Sequence, residues 1–251
     1  MWNNRPVRAH LLAAAAAALG VASAGTAAPQ QDPSPQPKAV AEGLRREREL
    51  LSNWQWRMKT EMKVDGVPRV TRVEEAHLSP EGGLVKRLVR FERAPGPTPV
   101  PYSDPRSGRP LGSSPEEDDF FFDAAQRLME VYLRLSPERV ATWVNRATLL
   151  PEDPDRPGRV RLRGRGLGRT QDEAILFLDV LSRRATEIEV KTTVGLEVKE
   201  IAFIRATFER LMPDRPGAEP VMIIKKIFLN MNRGRHAVAL EMETSDFRAW
   251  P

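Results

Sequence analysis

The chain has 251 residues, of which 41% are hydrophobic and 29% charged, and this composition excludes a disordered chain because it supplies enough apolar side chains for a core. Cysteine is absent, which excludes disulfides, thiol catalysis, cysteine-ligated metals and the lipid-modified cysteine of a bacterial lipoprotein. Basic residues number 39 and acidic residues 34, and a net charge of only +5 gives no reason to expect nucleic-acid binding.

The first 24 residues have the three parts of a secretory signal peptide. Arg5 and Arg8 form the basic start, 11–21 form an apolar stretch, and Ala22-Ser23-Ala24 supplies a small-residue cleavage pattern. An apolar stretch of about 11–14 residues is shorter than the roughly 20 that a membrane-spanning helix needs. We therefore expect cleavage after Ala24 and a periplasmic or secreted protein with no transmembrane segment after cleavage.

A spacer rich in proline and glutamine, 25–37, is predicted to be a flexible linker before a single domain over 38–251. Residues 38–52 open this domain. Their apolar side chains fall near one face and charged side chains fill most of the rest, which predicts a first helix.

Three strands are predicted to follow this helix. Residues 53–64 alternate between apolar and polar side chains with a period of two, as a strand with one buried face does. Asp65-Gly66 is a strong hairpin signal, so we expect a return strand over 67–78. A second turn leads to a third strand over 84–93, and the three strands should form an antiparallel meander.

The proline-rich stretch 94–114 is predicted to lack regular structure, and it reads either as a flexible loop or as a functional flap. Ser114-Pro115-Glu116-Glu117 has the residues of a capping box and predicts a helix over 115–135. Ser136-Pro137-Glu138 starts a second helix over 137–147 in the same way. We expect both helices to lie across the open side of the sheet.

The carboxyl-terminal half is predicted to be a long meander. Residues 159–165 alternate arginine with apolar side chains, and 170–181 suit either a helix or a buried strand, of which we favour the strand. Further strands are expected over 186–194, 198–211, 221–231 and 236–244. Together the elements predict an α+β fold, a curved antiparallel sheet or half-open β-barrel of about nine strands with three helices packed on its concave side.

One hairpin of this half resembles a hairpin of the LolA/LolB-like periplasmic lipoprotein-carrier superfamily. Residues 175–179 end in aspartate, Arg183-Arg184 lie in the turn, and 186–190 return with alternation. The strand 54–63 and the closing segment 244–248 also resemble those of uncharacterised exported proteins. The resemblance implies a half-open barrel with helices in its mouth and acyl chains carried in the cavity, although the missing lipobox cysteine departs from the membrane-anchored receptor type.

The sequence gives no catalytic, metal or cofactor site. His77 and His236 fall on separate predicted strands, and the acidic cluster 116–119 lies at a helix start, where negative charge is favoured anyway. Residues 164–168 look like a phosphate loop but lack its Lys-Ser/Thr ending, and an arginine-rich turn is the better interpretation. We therefore do not expect an enzyme.

Two groups of side chains are candidate binding surfaces. Tryptophan and methionine suit an adaptable apolar pocket, although the same side chains could simply form the core. The ligand-cavity candidates are Trp54, Trp56, Met58, Met62, Leu128, Tyr132, Trp143, Met222 and Met242. The candidates for an anionic surface, such as lipid headgroups or an acidic partner, are Arg159, Arg161, Arg163 and Arg165.

Two functions remain open from the sequence. The first is an exported envelope protein that binds lipid or lipoprotein acyl chains in the hollow of its sheet. The second is a non-catalytic module of the cell envelope with a filled core that docks a protein partner on its outer faces.

Overall fold

The structure, a computed structural model, describes residues 37–79, 82–94, 115–133, 135–150, 156–179, 184–194, 200–212, 219–233 and 236–250. Several segments discussed above lie outside the described residues: the signal peptide, the linker up to residue 36, the proline-rich stretch 95–114, and parts of the predicted turns at 80–81, 180–183, 195–199, 213–218 and 234–235.

The described chain forms one antiparallel sheet of ten strands that does not close on itself. The strands are β1 Trp54–Val64, β2 Val67–Leu78, β3 Leu84–Arg93, β4 Thr148–Leu150, β5 Arg159–Arg165, β6 Glu173–Asp179, β7 Arg184–Val194, β8 Glu200–Leu211, β9 Val221–Arg233 and β10 His236–Ala249. Their order across the sheet is β3-β2-β1-β10-β9-β8-β7-β6-β5-β4. The α+β class and the open antiparallel sheet predicted from the sequence are confirmed.

The sheet joins two meanders at a single long-range contact. Strands β1 to β3 form the first meander and β4 to β10 the second, and β1 pairs with β10 from Val64 opposite Val238 to Trp54 opposite Ala249. All remaining pairs of neighbouring strands in this sheet are formed by strands that are consecutive in the chain. The last strand is therefore a central strand of the sheet, held between β1 and β9.

The described helices are α1 Pro37–Ser52, α2 Pro115–Leu133 and α3 Pro137–Arg146. The Ser136 hydroxyl caps α3 by accepting a hydrogen bond from the Arg139 N–H at 3.2 Å, as the Ser-Pro-Glu sequence predicts. Helix α1 packs along α3 and also contacts β9, while α2 contacts β2, β9 and β10. All three helices therefore cover the same apolar face of the sheet.

The number of strands and several element boundaries differ from the sequence prediction; β10, for example, continues to Ala249 rather than ending at 244. The sheet has ten strands rather than about nine because the three-residue β4 pairs with β5, and three residues are too few to show a period of two. Helix α2 ends at Leu133 rather than 135, and α3 at Arg146 rather than 147. Gly164 and Arg165 belong to β5, so the predicted arginine-rich turn begins only at Gly166.

Alternation along each strand separates the buried face from the solvated one. In β1 the buried residues are every second one, whereas Arg57 and Lys59 between them are exposed: Trp56, Met58, Thr60, Met62 and Val64. The Asp65-Gly66 turn has positive φ angles of 51° and 80°, as the predicted two-residue hairpin needs. The apolar ambiguous stretch forms β6, and the preference for a strand is confirmed.

Candidate ligand cavity

An apolar cavity of about 280 Å³ lies between the helices and the sheet. The sheet forms its floor through inward-facing side chains of both meanders, including Trp56, Met58, Ile188, Ile204, Phe208, Ile227 and Met242. The same alternation that buries the core places these side chains on one face. The floor is therefore a continuous apolar surface made by residues far apart in the chain.

Two small side chains leave room for the cavity in the middle of the floor. Ala185 on β7 and Ala206 on β8 line it and are buried. Ala206 lies opposite Ile188 on one side and Ile227 on the other, and both of these larger side chains also line the cavity. A larger side chain at either alanine would occupy space that is now open.

The roof of the cavity comes from the helices and the connections beside them. Helix α1 contributes four residues, α2 and the link to α3 contribute Tyr132, Leu133 and Leu135, and α3 contributes Pro137, Val140 and Trp143. Trp143 lies directly on Gly164 of β5, where an added Cβ would be only 2.7 Å from the indole Nε1. The glycine therefore allows the indole to approach the sheet closely enough to form one wall.

Charge is confined to one side of the lining. Among the described residues, the charged side chains of the lining are those of Glu47 and Arg48, which are adjacent on α1. The Glu47 carboxylate accepts a hydrogen bond from the Met222 N–H at 2.9 Å, and the Arg48 guanidinium donates a long one to the Leu135 carbonyl at 3.4 Å. Helix α1 is thereby connected both to β9 and to the link between α2 and α3.

The remaining polar side-chain groups of the lining are few: the Thr244 hydroxyl, the Tyr132 phenol and the Trp143 indole N–H. The Thr244 hydroxyl donates to the Ile224 carbonyl at 2.5 Å. Burial raises the pKa of the Tyr132 phenol above its usual range, so this group stays protonated at neutral pH. Its hydroxyl lies beside Thr192 and Asp172 but makes no hydrogen bond of good geometry. The interior can therefore accept apolar material with little competition from polar side chains.

The structure brings six of the nine sequence-derived candidates to the cavity: Trp56, Met58, Tyr132, Trp143, Met222 and Met242. Met62 and Leu128 belong to the packed core beside it and do not line it. Trp54 also lies outside the lining, beyond the shift in the β1–β10 register between Gln55 and Arg57. The extra residue of this shift lies on β10, where Asp246 has a positive φ of 52°.

Sequence reasoning missed the contribution of α1 to the cavity. Its lining residues are Leu44, Glu47, Arg48 and Leu51. The apolar stripe that predicted the helix contains Leu44 and Leu51, and such a stripe must cover an apolar surface elsewhere. That signal indicates a buried side of the helix but does not identify which surface it covers.

The predicted arginine face of β5 is partly neutralised. Arg163 and Arg165 lie 3.5 Å and 3.1 Å from the Glu173 carboxylate, and Arg159 lies 3.8 Å from that of Glu187. Arg161 is half-buried. Because Arg159, Arg163 and Arg165 have acidic partners on β6 and β7, this face has less free positive charge than the sequence suggests.

The two histidines of the described chain lie in separate places. His77 stacks on Trp250 with ring centroids 4.1 Å apart, and His236 Nδ1 lies 2.9 Å from the Asp65 carboxylate. Within the described ranges, no group of three or more histidine, aspartate and glutamate side chains could hold a metal ion. The described helices likewise include none that is long and apolar enough to cross a membrane.

Comparison with known proteins finds similarity in structure alone. Neither a protein-family model nor a curated protein matches the chain. A LolA superfamily protein, NE2245 from Nitrosomonas europaea, is similar at 13% identity over 87% of this chain and 95% of that chain, with a TM-score of 0.43. The structure of MucB in complex with MucA(peri) is similar at 10% identity over 84% of this chain and 99% of that chain, with a TM-score of 0.21.

Proposed function

We propose that this chain is an exported envelope protein that binds a hydrophobic ligand, a lipid or the acyl chains of a lipoprotein, in the cavity between its sheet and its helices. The supporting observation is the cavity itself, about 280 Å³ in volume and lined almost entirely by apolar side chains. Sites for small ligands are typically mostly apolar hollows of roughly 300–1,000 Å³. Binding, rather than catalysis, is the activity that such a lining supports.

A packed core is the alternative explanation for the same side chains, and the cavity argues against it. Protein interiors contain few voids larger than a water molecule, because unfilled space loses contacts between neighbouring atoms. The small residues Ala185 and Ala206 keep the floor open although large apolar residues surround them. A chain selected only for stability would gain from filling this space.

The test is to purify the mature protein under native conditions and to identify bound lipid by mass spectrometry. Wild type should carry lipid, and Ala206→Leu should carry much less because the added side chain fills the middle of the floor. The matched control is Ala237→Leu, an exposed position on β10 outside the cavity lining. Lipid-free wild type, or equal lipid in the wild-type and Ala206→Leu proteins, would count against the proposal.

A protein-docking role is a second candidate, favoured by the exposed apolar side chains of the edge strand β3. Leu88 is 58% exposed and Val89 49% exposed, on a ten-residue strand that has a neighbour on one side only. Long exposed edge strands can pair with another chain. Capture of one stoichiometric protein from envelope extract, lost on Val89→Lys and accompanied by no lipid, would favour this role.

A further inference from the structure

We infer that the ligand is a single-chain amphiphile with an anionic head group, a carboxylate or a phosphate, and that Arg48 binds this head group at the rim of the cavity. This inference rests on the proposed function and specifies its ligand. It follows from three observations: the charge of the lining, the place of Arg48 among the surrounding elements, and the size of the hollow.

The first observation is that, among the described lining residues, Arg48 is the charged side chain that has neither an ion pair nor a short hydrogen bond. The carboxylate of its neighbour Glu47 accepts a hydrogen bond from the Met222 N–H at 2.9 Å. The Arg48 side chain is half-buried, and its one hydrogen bond, to the Leu135 carbonyl at 3.4 Å, is long. Among the described carboxylates, none forms an ion pair with it.

The neighbouring cations of α1 differ from Arg48 in this respect. Arg45 lies 2.7 Å from the Glu138 carboxylate, and Arg46 pairs with Glu219. Both are more exposed than Arg48, so their charges are also screened by water. A guanidinium cannot lose its proton in a protein, and removing it from water without a partner is costly. An anionic group on the ligand would supply the counter-charge for Arg48 that the described carboxylates do not supply.

The second observation is the position of Arg48 between three elements. An added Cβ at Gly82, in the turn between β2 and β3, would be 3.1 Å from Arg48 Cδ and 3.3 Å from Nη1. The guanidinium also donates a hydrogen bond to the carbonyl of Leu135, which lies in the link between α2 and α3. The arginine stem thus lies over the edge of an apolar hollow, and its planar fork suits the paired oxygens of a carboxylate or phosphate.

The third observation is the size of the cavity. A volume of about 280 Å³ is at the lower end of the range for small-ligand sites, roughly 300–1,000 Å³. One acyl chain suits this volume, whereas a lipid with several chains requires the helices to move away from the sheet. The inferred ligand therefore has one chain and one charged end.

A competing cation lies on another part of the rim. Arg210 is opposite Met222 in the β8–β9 pairing. Burial and the nearby charge of Arg184 lower the pKa of the Arg210 guanidinium, while the Glu47 carboxylate acts in the opposite direction. Arg210 thus shares the influence of Glu47, the chain neighbour of Arg48, and it serves as the internal alternative in the test.

The test measures binding of four probes to the delipidated mature protein by calorimetry and by tryptophan fluorescence: dodecanoate, dodecyl phosphate, dodecanol and inorganic phosphate. Wild type should bind the two anionic amphiphiles at least about tenfold more tightly than dodecanol, because a hydrogen-bonded charge is gained. Arg48→Met, which keeps the stem, should remove this preference and leave dodecanol unchanged. Arg48→Lys should recover part of it, and Arg46→Met, the matched control on the same helix, should behave as wild type.

Several results would overturn the inference. One is equal binding of dodecanol and dodecanoate by wild type, and another is a uniform loss for all three amphiphiles in Arg48→Met. A selective loss in Arg210→Met with none in Arg48→Met would assign the head group elsewhere. Inorganic phosphate binding as tightly as dodecyl phosphate would show that the twelve-carbon chain of the probe contributes nothing to the affinity. Failure of every twelve-carbon probe to bind wild type would instead reject the proposed function itself.

Discussion

At the scale of single residues, the closest approach between roof and floor is that of Trp143 to Gly164. An added Cβ at Gly164 would be 2.7 Å from the indole Nε1 and 2.9 Å from Cε2, distances that real Cβ atoms do not reach. The contact fixes how deeply α3 sits on β5. A wall of the cavity therefore depends on the absence of one methyl group.

Gly164→Ala should lower the free energy of unfolding by about 1–3 kcal/mol, because a well-packed contact has to move apart. The measurement is the urea midpoint with its slope. Trp143→Phe removes the crowded edge of the indole, so the double variant should lose less stability than the sum of the two single variants. Strict additivity would show that the indole and the glycine do not press on each other.

A second residue of interest lies on the outer face of the sheet. The Glu187 side chain is only 4% exposed, and Arg156 and Arg205 are 3.1 Å and 2.8 Å from it. Burial alone would raise the pKa of Glu187, but hydrogen bonds from Arg205 and Arg156 outweigh it and the pKa is lowered. Burial, together with the adjacent Glu187, raises the pKa of Glu189. The pKa values of these two neighbouring carboxyl groups are thus shifted in opposite directions.

Glu187→Gln should cost about 2–3 kcal/mol of stability at neutral pH, since the arginines lose a buried counter-charge. A lowered folded-state pKa means that this contribution is present above the usual value of 4.5 and is lost as the pH falls through the lowered pKa. The two proteins should therefore converge in acid in urea titrations. Glu173→Gln, at an exposed arginine partner, should change stability much less. A pH-independent difference would contradict the charge explanation.

At this scale the sequence predicted residue faces better than residue roles. Alternation correctly placed Trp56 and Met58 inward, and both line the cavity. It could not separate them from Met62, which shares the face but is enclosed by other core side chains. Whether an inward side chain meets a neighbour or a void depends on residues distant in the chain, which periodicity does not report.

At the scale of elements, the first half of α1 lies apart from the main core. This half packs with α3 in a small cluster formed by Val40, Ala41 and Ala141 with Leu44 against it. The second half of the helix is held by the ion pairs of Arg45 and Arg46 and by Glu47. A helix with this little shared apolar surface should open more easily than the sheet.

Native-state hydrogen exchange should therefore show α1 amides exchanging by local opening, at a lower free energy than the amides of β8. Strand β8 has hydrogen-bonded neighbours on both sides, which makes it the internal reference. Glu47→Ala should speed exchange across α1 and leave β8 unchanged, because the connection to Met222 is removed. Equal protection of α1 and β8 would show instead that the helix opens only with the whole molecule.

Elements with clear periods were predictable and very short ones were not. The apolar run 175–180 fits a helix or a strand equally well by period, and its strand-length extent and the following turn decided correctly for β6. Strand β4 has three residues and pairs only with β5, so nothing local in its sequence distinguishes it from a connection. Its existence depends on the partner strand beside it.

At the scale of the whole molecule, the pairing of β1 with β10 unites the two meanders. It extends from Trp54 opposite Ala249 to Val64 opposite Val238. Hairpins are recognisable from their turns, whereas this contact joins strands at opposite ends of the domain, with no local signal for its register. The sequence therefore predicted the strands and the open sheet but not which strands lie at its edges.

Deletion of 236–251 should abolish cooperative unfolding, because it removes a central strand and leaves β1 and β9 without their shared neighbour. Its buried side chains Val238, Leu240 and Met242 would also be lost from the core. Thermal melting followed by circular dichroism measures this, with deletion of Pro251 alone as the control. A sharp melting transition in the shortened protein would mean that the two meanders are stable without each other.

The central place of β10 has a consequence for the order of events in a cell. If the chain is exported as proposed, its amino-terminal end reaches the far side of the membrane first, and β1 to β3 arrive without the strand that completes them. Incomplete sheets expose apolar surface that is prone to aggregation. Strands β1 to β3 must therefore remain without their partner strand until the fourteen-residue β10 has emerged. Completion of the sheet therefore depends on the arrival of β10, the last of its ten described strands to emerge.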